Sequence, residues 1–142
     1  MELTSKGLLH REDWQAKGYH LPEFDREAVK TATKENPYWI HFGPGNLFRA
    51  FQANVAQTLL NKGELDRGIV VAEGFDYEIV EKMNRPHDDL HIAVTLKADG
   101  TIDKTVVGSV VGGFVGGVVG GVVVGGSVGS TGLIAEVVNG IM

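Results

Sequence analysis

Apolar side chains return every fourth residue at Leu47, Phe51, Val55 and Leu59, and Phe48 and Leu60 join them. That spacing predicts an amphipathic helix over residues 47–62 with one apolar face. Before it stands a short apolar run, 38–42, of strand character, and Gly43-Pro44-Gly45-Asn46 links the two. Asn46 is a good N-cap residue, able to accept a bond from an N–H in the first turn. Asn61-Lys62-Gly63 closes the helix, with a cation in its last turn and then a glycine able to take a left-handed conformation. The β-rich run 68–72 follows and ends at Glu73, with Asp76 shortly after. Residues 38–75 thus read as strand, turn, helix and parallel strand, joined by a right-handed crossover.

The rest of the first hundred residues is ordinary amphipathic sequence. Short helices are expected over 11–17 and 25–35, the second opened by Asp25 and closed before Pro37. A brief helix over 77–83 should be broken by Asn84-Arg85-Pro86. Residues 91–96 alternate as a strand, Asp99-Gly100 is a hairpin turn signal, and 101–107 is the return strand. Trp14 and Trp39 read as packing residues.

Beyond this hairpin the pattern changes. Between Val106 and Gly132 there are eleven valines and eleven glycines, and from Thr105 to the end the only charge is Glu136. The chain therefore divides into residues 1–109 and a low-complexity segment, 110–142. Three readings of that segment stay open. Residues 105–135 are long enough to span a bilayer, with glycines spaced by four (Gly112, Gly116, Gly120) for close helix packing. A valine-rich, charge-free run also has the composition of a strand-like, self-associating or disordered tail. A third reading packs it locally against the first part.

The turn carries the candidate chemistry. A strand, a Gly-x-Gly turn and a helix make a dinucleotide-binding crevice, where the backbone comes close to a pyrophosphate and the helix N-terminus offers it free N–H groups. Arg49, a cation in the first helical turn, opposes the helix dipole unless an anion is bound there. An acidic side chain at the end of the second strand can accept bonds from a ribose, and Glu73 and Asp76 both qualify. Glu73 lies 30 positions after Gly43, beyond the usual spacing of about 20, and the long intervening helix accounts for much of the difference. Either carboxylate would repel a 2′-phosphate, which favours NAD over NADP.

With these residues in view, the stretch from His41 to Phe51 resembles the N-terminal cofactor motif of the polyol and hexuronate dehydrogenases, typified by mannitol dehydrogenase and by fructuronate and tagaturonate reductases. The resemblance extends over residues 1–109 through 69–76 and through Leu96-Lys97-Ala98-Asp99-Gly100-Thr101. Phe48 and Phe51 look closer to the hexuronate reductase branch. Phe48 stands where the general dinucleotide fingerprint has its third glycine. The resemblance implies an α/β fold: a partial Rossmann-like NAD-binding unit with a β-hairpin, followed by the Val/Gly tail. It implies NAD as cofactor and, as cofactor-binding residues, Gly43, Gly45, Asn46, Leu47, Phe48, Arg49, Glu73 and Asp76. No position matches the family's catalytic lysine or its Asn and His partners, which lie in a second domain. The expectation is therefore the cofactor-binding part of an oxidoreductase, inactive alone, whose polyol or sugar-acid substrate requires that second domain. The alternative is a non-enzymatic, membrane-associated or self-assembling protein acting through its tail.

Composition narrows the field further. Eighteen acidic against thirteen basic residues argue against nucleic-acid binding, and the absence of cysteine removes disulfides and thiolate chemistry. No secretory signal is visible at the N-terminus, so a cytoplasmic location is expected. His87-Asp88-Asp89-Leu90-His91 spaces two histidines by four, but Pro86 before it and the strand after it argue against a helical metal site. His41, at the end of a strand, is expected to make a structural hydrogen bond.

Overall fold

The computed structural model describes residues 1–119 and 122–126. Its main sheet holds strands β2 (Ile40–Phe42), β3 (Ile69–Glu73), β6 (Val110–Val119) and β7 (Val122–Gly126), in the order β2-β3-β6-β7. The first three run parallel, and β7 returns antiparallel to β6. A second sheet combines β1 (Tyr19–His20), β4 (His91–Leu96) and β5 (Ile102–Val107) in the order β1-β5-β4. In it β4 and β5 form the expected hairpin, turning at Gly100 with φ +82. The parallel pairing of Tyr19–His20 with Lys104–Thr105 was not anticipated, since two residues are too few to show a period.

The expected strand-turn-helix-strand unit is present, with Ile40, His41 and Phe42 paired in parallel with Val70, Val71 and Ala72. Its helix occupies residues 46–61 and includes a π-helical turn, Phe48–Gln52, before α3, Ala53–Asn61. The helix closes as a Schellman motif: Gly63 has φ +70, its N–H donates to Leu60 O, and Glu64 N–H reaches back to Leu59 O. Upstream, α1 (Arg11–Gln15) buries Trp14, and α2 (Arg26–Glu35) is capped by Asp25, whose side chain accepts from the N–H groups of Glu27 and Ala28.

The face that packs is not the one read from the spacing. Leu47 is 74% exposed and Phe51 62%, and Val55 is exposed too, whereas Phe48, Ala53, Ala56, Gln57 and Leu60 are buried. The π-helical turn explains the difference. Counting back from Leu60 through Gln57, Ala56 and Ala53, α-helical spacing would bring Arg49 onto the buried stripe. The wider turn holds an extra residue, so Phe48 takes the place instead. Phe48, Ala53 and Ala56 then pack with Ile69, Val71, Ala93, Val107 and Val110, one cluster that joins the helix to both sheets. Alanines at 53 and 56 allow this close approach.

The Val/Gly segment enters the same core. Ile69 pairs with Val110 and Val70 with Gly112, so Val111 forms a bulge. Val110 joins the Phe48 cluster, and Val111 packs with Val29 and Leu60. Residues 110–119 are thus a further strand of the main sheet, as in the reading that packs the segment locally against the first part. The transmembrane-helix reading is corrected, because residues 105–107 and 110–119 are strands. Glycine interrupts propensity but not pairing, because the ladder is made by backbone. Gly68 shows where a side chain is forbidden: a Cβ there would stand 2.4 Å from Ser109 O. Residues 127–142, and with them the disorder and self-association readings of the tail, lie outside the described residues.

The short helix after β3 also runs further than read. It comprises α4 (Tyr77–Ile79), a π-helical turn (Val80–Asn84) and a 3-10 turn (Arg85–His87). Pro86 is accommodated near the start of the 3-10 turn, where its missing N–H is not needed. Asp88 and Asp89 then take positive φ, +51 and +61, to reverse the chain into β4. Arg26 locks this reversal. Its guanidinium donates to the carbonyls of Asp88, Gly108 (3.1 Å) and Val110 (3.2 Å) and to Ser5 Oγ (2.9 Å).

Candidate functional site

The parallel pairing of β2 and β3 brings the candidate residues to one end of the sheet. Gly43 N–H donates to Ala72 O at 2.8 Å, so the turn after β2 lies beside Glu73 and Gly74 at the end of β3. Gly43 has φ +91, a conformation that favours glycine. Gly45 differs. Its φ is not in the left-handed region, and a Cβ built on it meets nothing within 4 Å. Neither backbone strain nor neighbouring atoms of the described residues require glycine at 45.

The helix begins one residue earlier than expected. Its first i→i−4 bond runs from Arg49 N–H to Gly45 O at 3.1 Å, which leaves the N–H groups of Asn46, Leu47 and Phe48 ahead of any intrahelical acceptor. Asn46 does not cap them with its side chain: its Oδ1 accepts from the Arg49 guanidinium instead. Among the described residues, Arg49 forms no ion pair with a carboxylate. A free cation and three free N–H groups therefore share one helix end, which suits an anion.

Both acidic candidates are engaged locally. Glu73 is largely buried, and its Oε1 accepts from the N–H groups of Phe75 (2.8 Å) and Asp76 (3.1 Å), leaving Oε2 uncommitted by these bonds. Asp76 caps α4 through Ile79 N–H at 3.2 Å. Position separates them: Glu73 ends the strand beside the turn, and Asp76 begins the next helix.

The two histidines of the 87–91 motif each meet a backbone carbonyl, Leu3 O for His87 Nδ1 (3.1 Å) and Arg49 O for His91 Nε2 (2.7 Å). No group of three or more metal-ligating side chains occurs among the described residues. A carbonyl only accepts, so His91 carries its proton on Nε2. Burial pushes its pKa below the ordinary histidine value, with the Arg49 carbonyl opposing the shift. His91 thereby ties β4 to the π-helical turn that presents Arg49. A cleft of about 380 Å³ opens between them, lined by Asn46, Arg49, Asn84, Asp89 and His91 among others. Burial pushes the Asp89 carboxyl up, with Arg26 opposing. His41 stacks on Phe48 with ring centroids 4.0 Å apart, and partial burial lowers its pKa. The His91 link was not visible beforehand, because it depends on tertiary placement of a histidine 42 residues from its partner.

Parallel strands, an open Gly-x-Gly turn, an anion-ready helix end and an acid on the neighbouring strand define an α/β segment of the Rossmann-like class. No protein-family model matches the chain. It is 47% identical over 104 residues to the D-mannonate oxidoreductase of Thermotoga maritima, a match covering 73% of this chain and 19% of that protein. The fold is shared with Pseudomonas fluorescens mannitol 2-dehydrogenase, solved as a ternary complex with NAD and D-mannitol (TM-score 0.63, 24% identity, 81% of this chain and 22% of that one). It is also shared with a D-sorbitol dehydrogenase solved in substrate-free form (TM-score 0.57, 24% identity, 69% of this chain and 19% of that one). The chain thus belongs with the mannitol dehydrogenase family as an N-terminal segment, and it spans about a fifth of the length of these relatives.

Proposed function

We propose that the segment holds the pyrophosphate and adenosine ribose of NAD in an oxidoreductase acting on polyols or hexuronates. Gly45 carries the reading: nothing among the described residues requires glycine there, and a phosphate pressed against the backbone would. The N–H groups of Asn46, Leu47 and Phe48 and the Arg49 guanidinium donate to the phosphate oxygens. The Glu73 carboxylate accepts from the ribose hydroxyls, and its charge disfavours a 2′-phosphate. Asp76 has the lesser part, holding the turn through its cap.

When bound, NAD supplies the hydride chemistry. This segment supplies its anchorage, and the acid–base and substrate-positioning groups are assigned to parts of such proteins beyond its span. The resemblance to a mannonate oxidoreductase favours a sugar acid over a simple polyol as substrate. A cytoplasmic setting fits the cysteine-free composition. Among the described residues no helix is long and apolar enough to cross a membrane.

Gly45→Asp tests the role of the turn. Aspartate is a favoured N-cap, and its charge suits a helix N-terminus, so unfolding stability should hold or rise. The same charge repels phosphate, so the NAD dissociation constant should rise by more than about tenfold, as loss of charge-assisted bonds implies. Unchanged NAD affinity in a folded variant would contradict the assignment.

A further inference from the structure

Phe75 is the most exposed large apolar side chain among the described residues, 91% open to solvent. Its backbone is nonetheless fixed. Its N–H donates to Glu73 Oε1, the Asp76 N–H donates to the same oxygen, and Asp76 caps α4. The ring therefore stands on a tied turn and belongs to no apolar cluster among the described residues.

Its placement gives the exposure a meaning. Phe42 is level with Ala72 across the β2–β3 pair, and Gly43 N–H bonds to Ala72 O. Moving from β2 past the end of β3, the chain presents the Gly43–Gly45 turn, then the Glu73 carboxylate, then the Phe75 ring. An adenosine diphosphate group presents pyrophosphate, then ribose with its vicinal hydroxyls, then purine. The two orders match.

We infer that Phe75 is the stacking platform for the purine ring of the bound dinucleotide. The inference rests on the phosphate-turn reading above and extends it by one residue. An aromatic face stacks on any base without hydrogen-bond readout. Phe75 therefore adds affinity for the adenosine end, while Glu73 selects at the ribose. Because the ring is 91% exposed and belongs to no core cluster among the described residues, it can be replaced without unfolding the chain.

The test is a set of ligand-observed NMR titrations of the full chain with NAD, ADP, nicotinamide mononucleotide and inorganic pyrophosphate. In wild type, the adenine protons of NAD and ADP should receive the strongest saturation transfer. Phe75→Ala should weaken NAD and ADP by about fivefold to tenfold, the low end for a base on one aromatic face. Nicotinamide mononucleotide and pyrophosphate should be unaffected, and Phe75→Trp should restore the adenine contact. If Phe75→Ala binds NAD as wild type does while Gly45→Asp does not bind it, the stacking role is wrong and the phosphate turn stands. Equal weakening of nicotinamide mononucleotide and ADP would also overturn it. If wild type transfers no saturation to NAD, or Gly45→Asp binds NAD equally well, the phosphate-turn reading fails and the stacking role with it.

Discussion

Glu73 and His91 are the two residues whose charge state bears most directly on the site, and each acts through bonds already described. Glu73→Gln keeps an oxygen for the Phe75 and Asp76 N–H groups but removes the negative charge that the proposed function sets beside the ribose. NAD affinity should fall modestly, and the preference for NAD over NADP should shrink about tenfold, measured as the ratio of the two dissociation constants. An unchanged ratio would move the selecting role to another residue. His91 is half-buried in the fold, with a pKa below its unfolded value. Between those two values the unfolded chain binds more protons, so stability falls as pH drops below about 6.5, the unfolded histidine value. Urea midpoints from pH 7.5 to 5 should decline, and His91→Gln should be less stable at pH 7.5 yet decline less steeply. Equal slopes in the two proteins would show that His91 does not govern this range.

Among the elements, the helix over 46–61 shows both the reach and the limit of sequence reading. Its existence, its glycine terminator, the flanking strands and the Gly-x-Gly turn were legible, because each rests on local chemistry. The buried face was not. One extra residue in the π-helical turn rotates the register before Ala53, and it exposes Leu47, Phe51 and Val55, the apolar stripe that spacing had singled out. The strand Val110–Val119 was hidden for the opposite reason: its glycines lower propensity, and pairing with β3 overrides that. Gln57 is a polar residue in the middle of the true face, buried where spacing alone favours an apolar side chain. It donates to Val106 O at 2.8 Å and accepts from Gly108 N–H at 2.7 Å, clamping α3 onto the link between β5 and β6. Gln57→Leu leaves both backbone groups buried without partners, at roughly 1–3 kcal/mol each. Urea unfolding should show a loss of about 2–6 kcal/mol on that basis, and a loss below about 1 kcal/mol would mean that the clamp is dispensable.

For the molecule as a whole, the site is assembled by topology. Two parallel strands place the turn and the acid side by side, the second sheet fixes the helix from outside through His91, and the strand Val110–Val119 completes the parallel core. The candidate site residues could be named from the sequence because they lie in contiguous motifs. Their partners (Asn46 for Arg49, the 75–76 turn for Glu73) needed the fold. Phe42, Leu47 and Phe51 remain exposed at the β2 end of the main sheet, in a chain that spans about a fifth of its relatives. The central claim is that the turn from Gly43 to Arg49 holds a dinucleotide phosphate with backbone N–H groups. The most direct measurement is an amide-resolved NMR titration of the chain with NAD. The backbone amides of Asn46, Leu47, Phe48 and Arg49 should shift most, followed by those of Gly74 and Phe75, and inorganic pyrophosphate should reproduce the first group alone. Shifts absent from residues 46–49, or centred elsewhere while NAD binds, would contradict the account.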